Sequence, residues 1–101
     1  MVREIRWSSI ALVTFEEAVL YLERDFSELV SRKFADRVKQ KMVLLMVYPR
    51  LGQKVGNKPN VYKTVINKRI VLYYQYKPRK GEILLLSFWN TLQNPQNLRI
   101  S

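Results

Sequence analysis

The 101-residue chain has no cysteine and no histidine. The missing residues exclude Ser/His and Cys/His nucleophile pairs, the usual zinc ligand sets and any disulfide framework. Any catalysis would have to come from Lys, Arg, Tyr, Ser, Thr or a few carboxylates. No apolar run approaches the 18 or so residues of a membrane span. The N-terminus alternates polar and apolar residues and has no signal-peptide core. A cytoplasmic protein of bacterial type is the expectation, with no membrane partner, no cofactor and no metal.

The most informative shortage is of one charge. Between Asp36 and Glu82 there is no acidic residue, while twelve basic ones fall there: Arg37, Lys39, Lys41, Arg50, Lys54, Lys58, Lys63, Lys68, Arg69, Lys77, Arg79 and Lys80. Residues 1–36 carry five basic and seven acidic side chains, and residues 82–101 balance Glu82 against Arg99. The formal +10 of the chain therefore sits on its middle. A field of this kind attracts polyanions or an acidic protein and raises encounter rates. Ordinary surfaces mix the signs, so a functional anion-binding or acidic-partner surface is expected here. The ordinary alternative is a solvated face that keeps the protein soluble.

What is present is enough for one core. The chain is 48% hydrophobic with two Trp, six Tyr and four Phe, which argues for a single domain over residues 1–101 and against disorder. Val2 to Trp7 alternates as a strand does. Ser8 or Ser9 can cap a first helix, whose apolar face is Ala11, Phe15, Ala18 and Leu22. Ser27 can cap a second, with Glu28 in its first turn and Val30, Phe34, Val38 and Leu45 on its apolar face. Lys33, Arg37 and Lys41 form a basic stripe beside that face. Pro49 ends the helix near Tyr48. The two helices are expected over about 9–25 and 28–48.

Pro49 to Pro59 reads as a loop. The period then changes to two. Val61–Ile66 and Arg69–Lys77 read as strands joined by a tight turn at Asn67-Lys68, and Glu82–Trp89 as a third. Its nearly continuous run Ile83-Leu84-Leu85-Leu86 predicts a central strand covered on both faces. The order β-α-α-β-β-β predicts an α+β fold, a helical hairpin on a mostly antiparallel four-stranded sheet.

Three constellations could carry chemistry. Lys68 and Arg69 sit at a strand start, where Arg offers a bidentate fork to a phosphate; a turn that simply needs polar residues explains them equally well. Tyr73, Tyr74 and Tyr76 could stack on a base, or act as bases if cations lower their pKa. Tyr74 and Tyr76 share the apolar face with Ile70 and Leu72, which leaves Tyr73 as the surface candidate. In the tail Phe88-Trp89-Asn90-Thr91-Leu92-Gln93-Asn94-Pro95, a turn at Asn94-Pro95 competes with a site at the strand exit.

The order of these patterns resembles the RelE/ParE superfamily of bacterial toxin–antitoxin toxins, more closely its ParE-like members. The resemblance rests on Ile5-Arg6-Trp7-Ser8 before the first helix and Tyr48-Pro49-Arg50-Leu51-Gly52 after the second. It continues through Val61-Tyr62-Lys63, Arg69-Ile70-Val71-Leu72-Tyr73-Tyr74 and the tail. It implies an acidic, partly disordered antitoxin that wraps the basic toxin in a hetero-oligomer. RelE-type members cut messenger RNA on the ribosome with Lys, Arg and Tyr; ParE-type members inhibit DNA gyrase. This chain has Asn90 where the family carries Asp, Thr91 and Leu92 near the place of a RelE-type catalytic Arg, and no Tyr after Tyr76.

The candidate set is therefore as follows. Lys68, Arg69 and Tyr73 are what remains for catalysis, while Arg37, Lys41, Arg50, Lys63, Lys68, Arg69 and Asn90 are the expected antitoxin- or anion-binding residues. Three functions stay open: a toxin that inhibits a protein target such as gyrase, a ribosome-dependent ribonuclease, and an RNA- or DNA-binding module with no toxin role. The missing tail Arg and Tyr favour the first over the second.

Overall fold

A computed structural model describes residues 2–92. The elements are β1 (Glu4–Trp7), α1 (Ser9–Asp25), α2 (Glu28–Val47), β2 (Gln53–Lys54), β3 (Val61–Val65), β4 (Ile70–Lys77) and β5 (Glu82–Asn90). They form two helices on a five-stranded sheet of order β1-β5-β4-β3-β2. Only the β1–β5 pair is parallel; the other neighbours are antiparallel. The α+β architecture is the expected one, with one correction: the sheet has five strands rather than four. The extra strand, β2, is two residues long, pairs with Lys63 and Tyr62, and lies inside the expected loop. Two residues are too few to carry a period-two signal.

Both helices start where a serine can accept an orphan backbone N–H. Ser8 Oγ accepts from the Ala11 N–H at 2.9 Å and Ser27 Oγ from the Val30 N–H at 3.1 Å. Each such cap stabilises by about 1 kcal/mol. The helices bury Ala11, Ala18, Leu22, Phe34, Val38 and Leu45 against Ile70, Leu72, Tyr74, Ile83, Leu85 and Phe88. Trp7, Phe15, Phe34 and Phe88 form an aromatic knot with centroid separations from 5.4 to 6.2 Å. Each offset or edge contact adds about 0.5–1.5 kcal/mol beyond area burial.

A threonine ties α1 to the sheet. Thr14 is buried; its Oγ1 donates to the Ile10 carbonyl at 2.7 Å and accepts from the Phe88 N–H at 2.9 Å. Sequence reading passed over it because a threonine on a helix carries no long-range signal.

The apolar run of β5 alternates between two layers. Ile83 and Leu85 join the helix-facing core, while Leu86 joins a smaller cluster with Val61, Tyr73 and Trp89. The strand is thus covered on both faces. It lies second in the sheet, however, between β1 and β4, and β4 takes the middle. The expectation of a central position is corrected accordingly. The β1 strand, too short and polar to compete in an apolar count, occupies the edge beyond it.

Candidate functional site

The turn between β3 and β4 is built by one side chain. Asn67 Oδ1 accepts from the N–H groups of Arg69 and Ile70 at 2.8 and 2.9 Å. Asn does this in turns because its short amide mimics a backbone carbonyl. The connection is longer than the two residues expected, spanning Ile66 to Arg69. Its effect is to present Lys68 and Arg69 toward the helical hairpin.

There they meet α2. Lys33, Arg37, Lys68 and Arg69 line a groove of about 220 Å³ whose apolar wall comes from Leu22, Phe26, Val30 and Phe34. Helical spacing explains the α2 half: Val30 and Phe34 are four residues apart on one stripe, and Lys33 and Arg37 on the next. No acidic side chain lines the groove. The ion pairs of the described residues lie elsewhere, at Arg6–Glu4, Arg6–Glu82, Arg24–Asp25 and Arg32–Glu28. The Arg69 guanidinium stands 5.1 Å from the centroid of the Phe26 ring, a cation–π contact that orients both. Four cations from two separate segments therefore converge over an apolar floor. A concentration of positive charge of this kind favours anions.

The other expected residues are distributed around this groove or away from it. Lys41 lies one turn beyond Arg37 on α2, half-buried and outside the groove. Arg50, just past the end of α2, lies over the Tyr76 ring at 4.9 Å. Asn90 pairs with Ile70 across the sheet and accepts from the Leu92 N–H at 2.9 Å. Its neighbour Thr91 donates through its N–H to the Arg69 carbonyl at 2.7 Å, so the strand exit supports the cationic turn from behind. The Asn94-Pro95 turn lies outside the described residues.

Lys63 and Tyr73 are register partners on β3 and β4. With Trp89, Gln53 and Thr91 they line a second depression, of about 500 Å³. Tyr73 belongs to the outer cluster with Leu86 and Trp89, whereas Leu72 and Tyr74 on either side join the helix-facing core. Lys68, Arg69 and Tyr73 are therefore not brought together. Tyr73 is also only 9% exposed, which corrects its expected surface position: the bulge opposite Tyr73 and Tyr74 lets Leu86 pack beside it. Burial pushes its phenol pKa upward, the opposite of what a phenolic base requires. Tyr74, fully buried, is pushed the same way by desolvation, opposed by the N–H of Gly52, which donates to its Oη at 3.0 Å.

Phe26, Val30 and Lys33 are groove residues absent from the expected site set, Lys33 having been read only as part of the basic stripe on the second helix. Phe26 lies in the short break between two helices, where no periodicity marks it, and Val30 read as core. The available signal was the 26-30-33-34-37 spacing taken together with the turn.

The chain's residues 5–95 match the family model for the ParE toxin of the type II toxin–antitoxin system parDE. No curated protein matches by sequence. Among solved structures, the chromosomal ParDE system from P. aeruginosa superposes with a TM-score of 0.69 at 12% identity, covering 88% of this chain and 96% of that one. The intact E. coli RelBE toxin–antitoxin complex gives 0.61 at 20%, covering 85% and 93%. The isolated E. coli RelE toxin gives 0.61 at 19%, covering 91% and 87%. At these identities the structural likeness concerns the fold. The family match spans most of the chain, which belongs to the ParE toxins of type II toxin–antitoxin systems.

Proposed function

We propose that this toxin acts by binding a protein target, DNA gyrase being the leading one, and is neutralised by an acidic antitoxin that covers its cationic surface. The observation that carries this reading is the convergence of Lys33, Arg37, Lys68 and Arg69 with no carboxylate among them. An acidic chain would neutralise that field and be steered to it. Two structures of similar fold, E. coli RelBE and P. aeruginosa ParDE, are toxin–antitoxin systems, which supports the antitoxin half of the reading.

The ribonuclease alternative fares less well on the same geometry. Cleavage at a 2′-hydroxyl needs a proton acceptor and cations around one phosphate. Here the cations lie in the groove between turn and helix, and Tyr73 lies in the outer cluster with its pKa raised by burial. Asn90 adds no charge at the strand exit, and its amide oxygen is occupied by the Leu92 N–H.

The partner half of the proposal is tested by calorimetric titration with the product of the adjoining open reading frame at two salt concentrations. Binding that weakens as salt rises is expected, because several ion pairs form. Absence of binding at both would remove the antitoxin.

A further inference from the structure

We propose that the groove beside Phe26 is a socket for one bulky apolar side chain of the acidic antitoxin, flanked by carboxylates that pair with the rim. The proposal rests on the antitoxin reading above and specifies how the partner is held.

Size is the first argument. The cavity holds about 220 Å³. Sites that take a whole small molecule begin at roughly 300 Å³. A single large side chain suits the space better than a complete nucleotide or cofactor. The floor is the second argument. Phe26 is 48% exposed, and Val30 and Phe34 continue the apolar wall beside it. The ring is held from two sides, by Tyr21 edge-on at 6.0 Å and by the Arg69 guanidinium at 5.1 Å. A fixed aromatic wall inside a polar rim is the arrangement that concentrates binding energy in interfaces.

The rim argues for the occupant. Lys33, Arg37 and Lys68 face the groove without an ion-pair partner among the described residues. Lys33 and Arg37 are one helical turn apart, about 6 Å along the axis. Carboxylates four residues apart on a partner helix have the same spacing. The occupant is therefore an acidic segment presenting Leu, Phe, Trp or Met into the socket, with two Asp or Glu about one turn apart beside it.

The test compares calorimetric titrations of the wild-type chain and three variants with the purified product of the adjoining open reading frame. Phe26→Ala removes the exposed wall, Val30→Trp fills the socket, and Lys80→Ala changes a cation outside the groove. The first two are expected to weaken binding by about ten- to a hundredfold, the range for truncating an anchor contact, and the third by less than about threefold. Thermal melts check that each variant is folded. Phe26→Ala, at an exposed position, keeps the test informative should Val30→Trp fail to fold. Salt-dependent wild-type binding that both groove variants retain within about twofold would overturn the socket and leave the antitoxin reading intact. No wild-type binding would overturn both. Sedimentation showing a wild-type dimer that Phe26→Ala dissociates would assign the socket to a second copy and overturn the proposal.

Discussion

Replacing Thr14 by Val isolates one hydrogen bond that joins the helical hairpin to the sheet. The two side chains are nearly the same shape and both are β-branched, so packing and χ1 preference change little. What disappears is the acceptor for the Phe88 N–H, 2.9 Å away and 74 residues distant in sequence. The bond is buried, and Phe88 itself is 3% exposed, so water has poor access to the orphaned donor. An unsatisfied buried N–H costs about 1–3 kcal/mol. The lost bond to the Ile10 carbonyl adds little, because that oxygen keeps its helical N–H partner. Urea unfolding should show a lower midpoint with an unchanged slope. The melting temperature should fall by about 4–8 °C for each kcal/mol in a domain of this size. Thr14→Ser keeps the acceptor and loses only a methyl, about 1 kcal/mol, and its Phe88 amide resonance should stay near the wild-type position. A Thr14→Val protein within about 0.5 kcal/mol of wild type, the range of neutral surface changes, would refute this account of how α1 is tied to β5.

Other outcomes follow from single contacts. Gly52→Ala should destabilise by about 1–3 kcal/mol, as overpacking does, because the new Cβ would meet the Lys63 carbonyl oxygen at 2.6 Å and Tyr74 Oη at 3.0 Å; urea denaturation measures it. The phenols of Tyr73 and Tyr74 should ionise only above the ordinary value of 10.0 in the folded protein, and at that value once it is unfolded. The proton is thus held more tightly in the native state, so their contribution to stability is complete below that value and is lost as pH rises through the folded pKa. Spectrophotometric titration of wild type against Tyr73→Phe and Tyr74→Phe checks this. Lys33→Ala with Lys68→Ala should flatten the salt dependence of antitoxin binding, because two rim charges are gone, while Lys77→Ala should leave that slope nearly unchanged.

Much of the scaffold was legible because it is written in local signals. Ser8 and Ser27 mark helix starts, Pro49 a stop, and the change of period after Pro59 the sheet. The two-residue strand β2 and the position of β5 were not legible, since neither short pairing nor strand order has a periodic signature. The site was legible as charge but not as place. Lys33, Arg37 and the pair Lys68-Arg69 are more than thirty residues apart in sequence, and only the packing of the helical hairpin beside the β3–β4 turn brings them together. Tyr73 shows the reverse. Alternation assigned it correctly to the face away from Tyr74, but could not show that Leu86 and Trp89 would cover that face.

The central claim, a toxin that stops growth through a protein target and is held by an acidic partner, is tested most directly by inducing the chain in cells with and without the adjoining gene. Growth is followed while messenger RNA ends are mapped on translating ribosomes. The account predicts arrest with intact messages, relieved when the acidic partner is co-expressed. Codon-phased cuts that vanish in Arg69→Ala would contradict it and put a ribonuclease in its place.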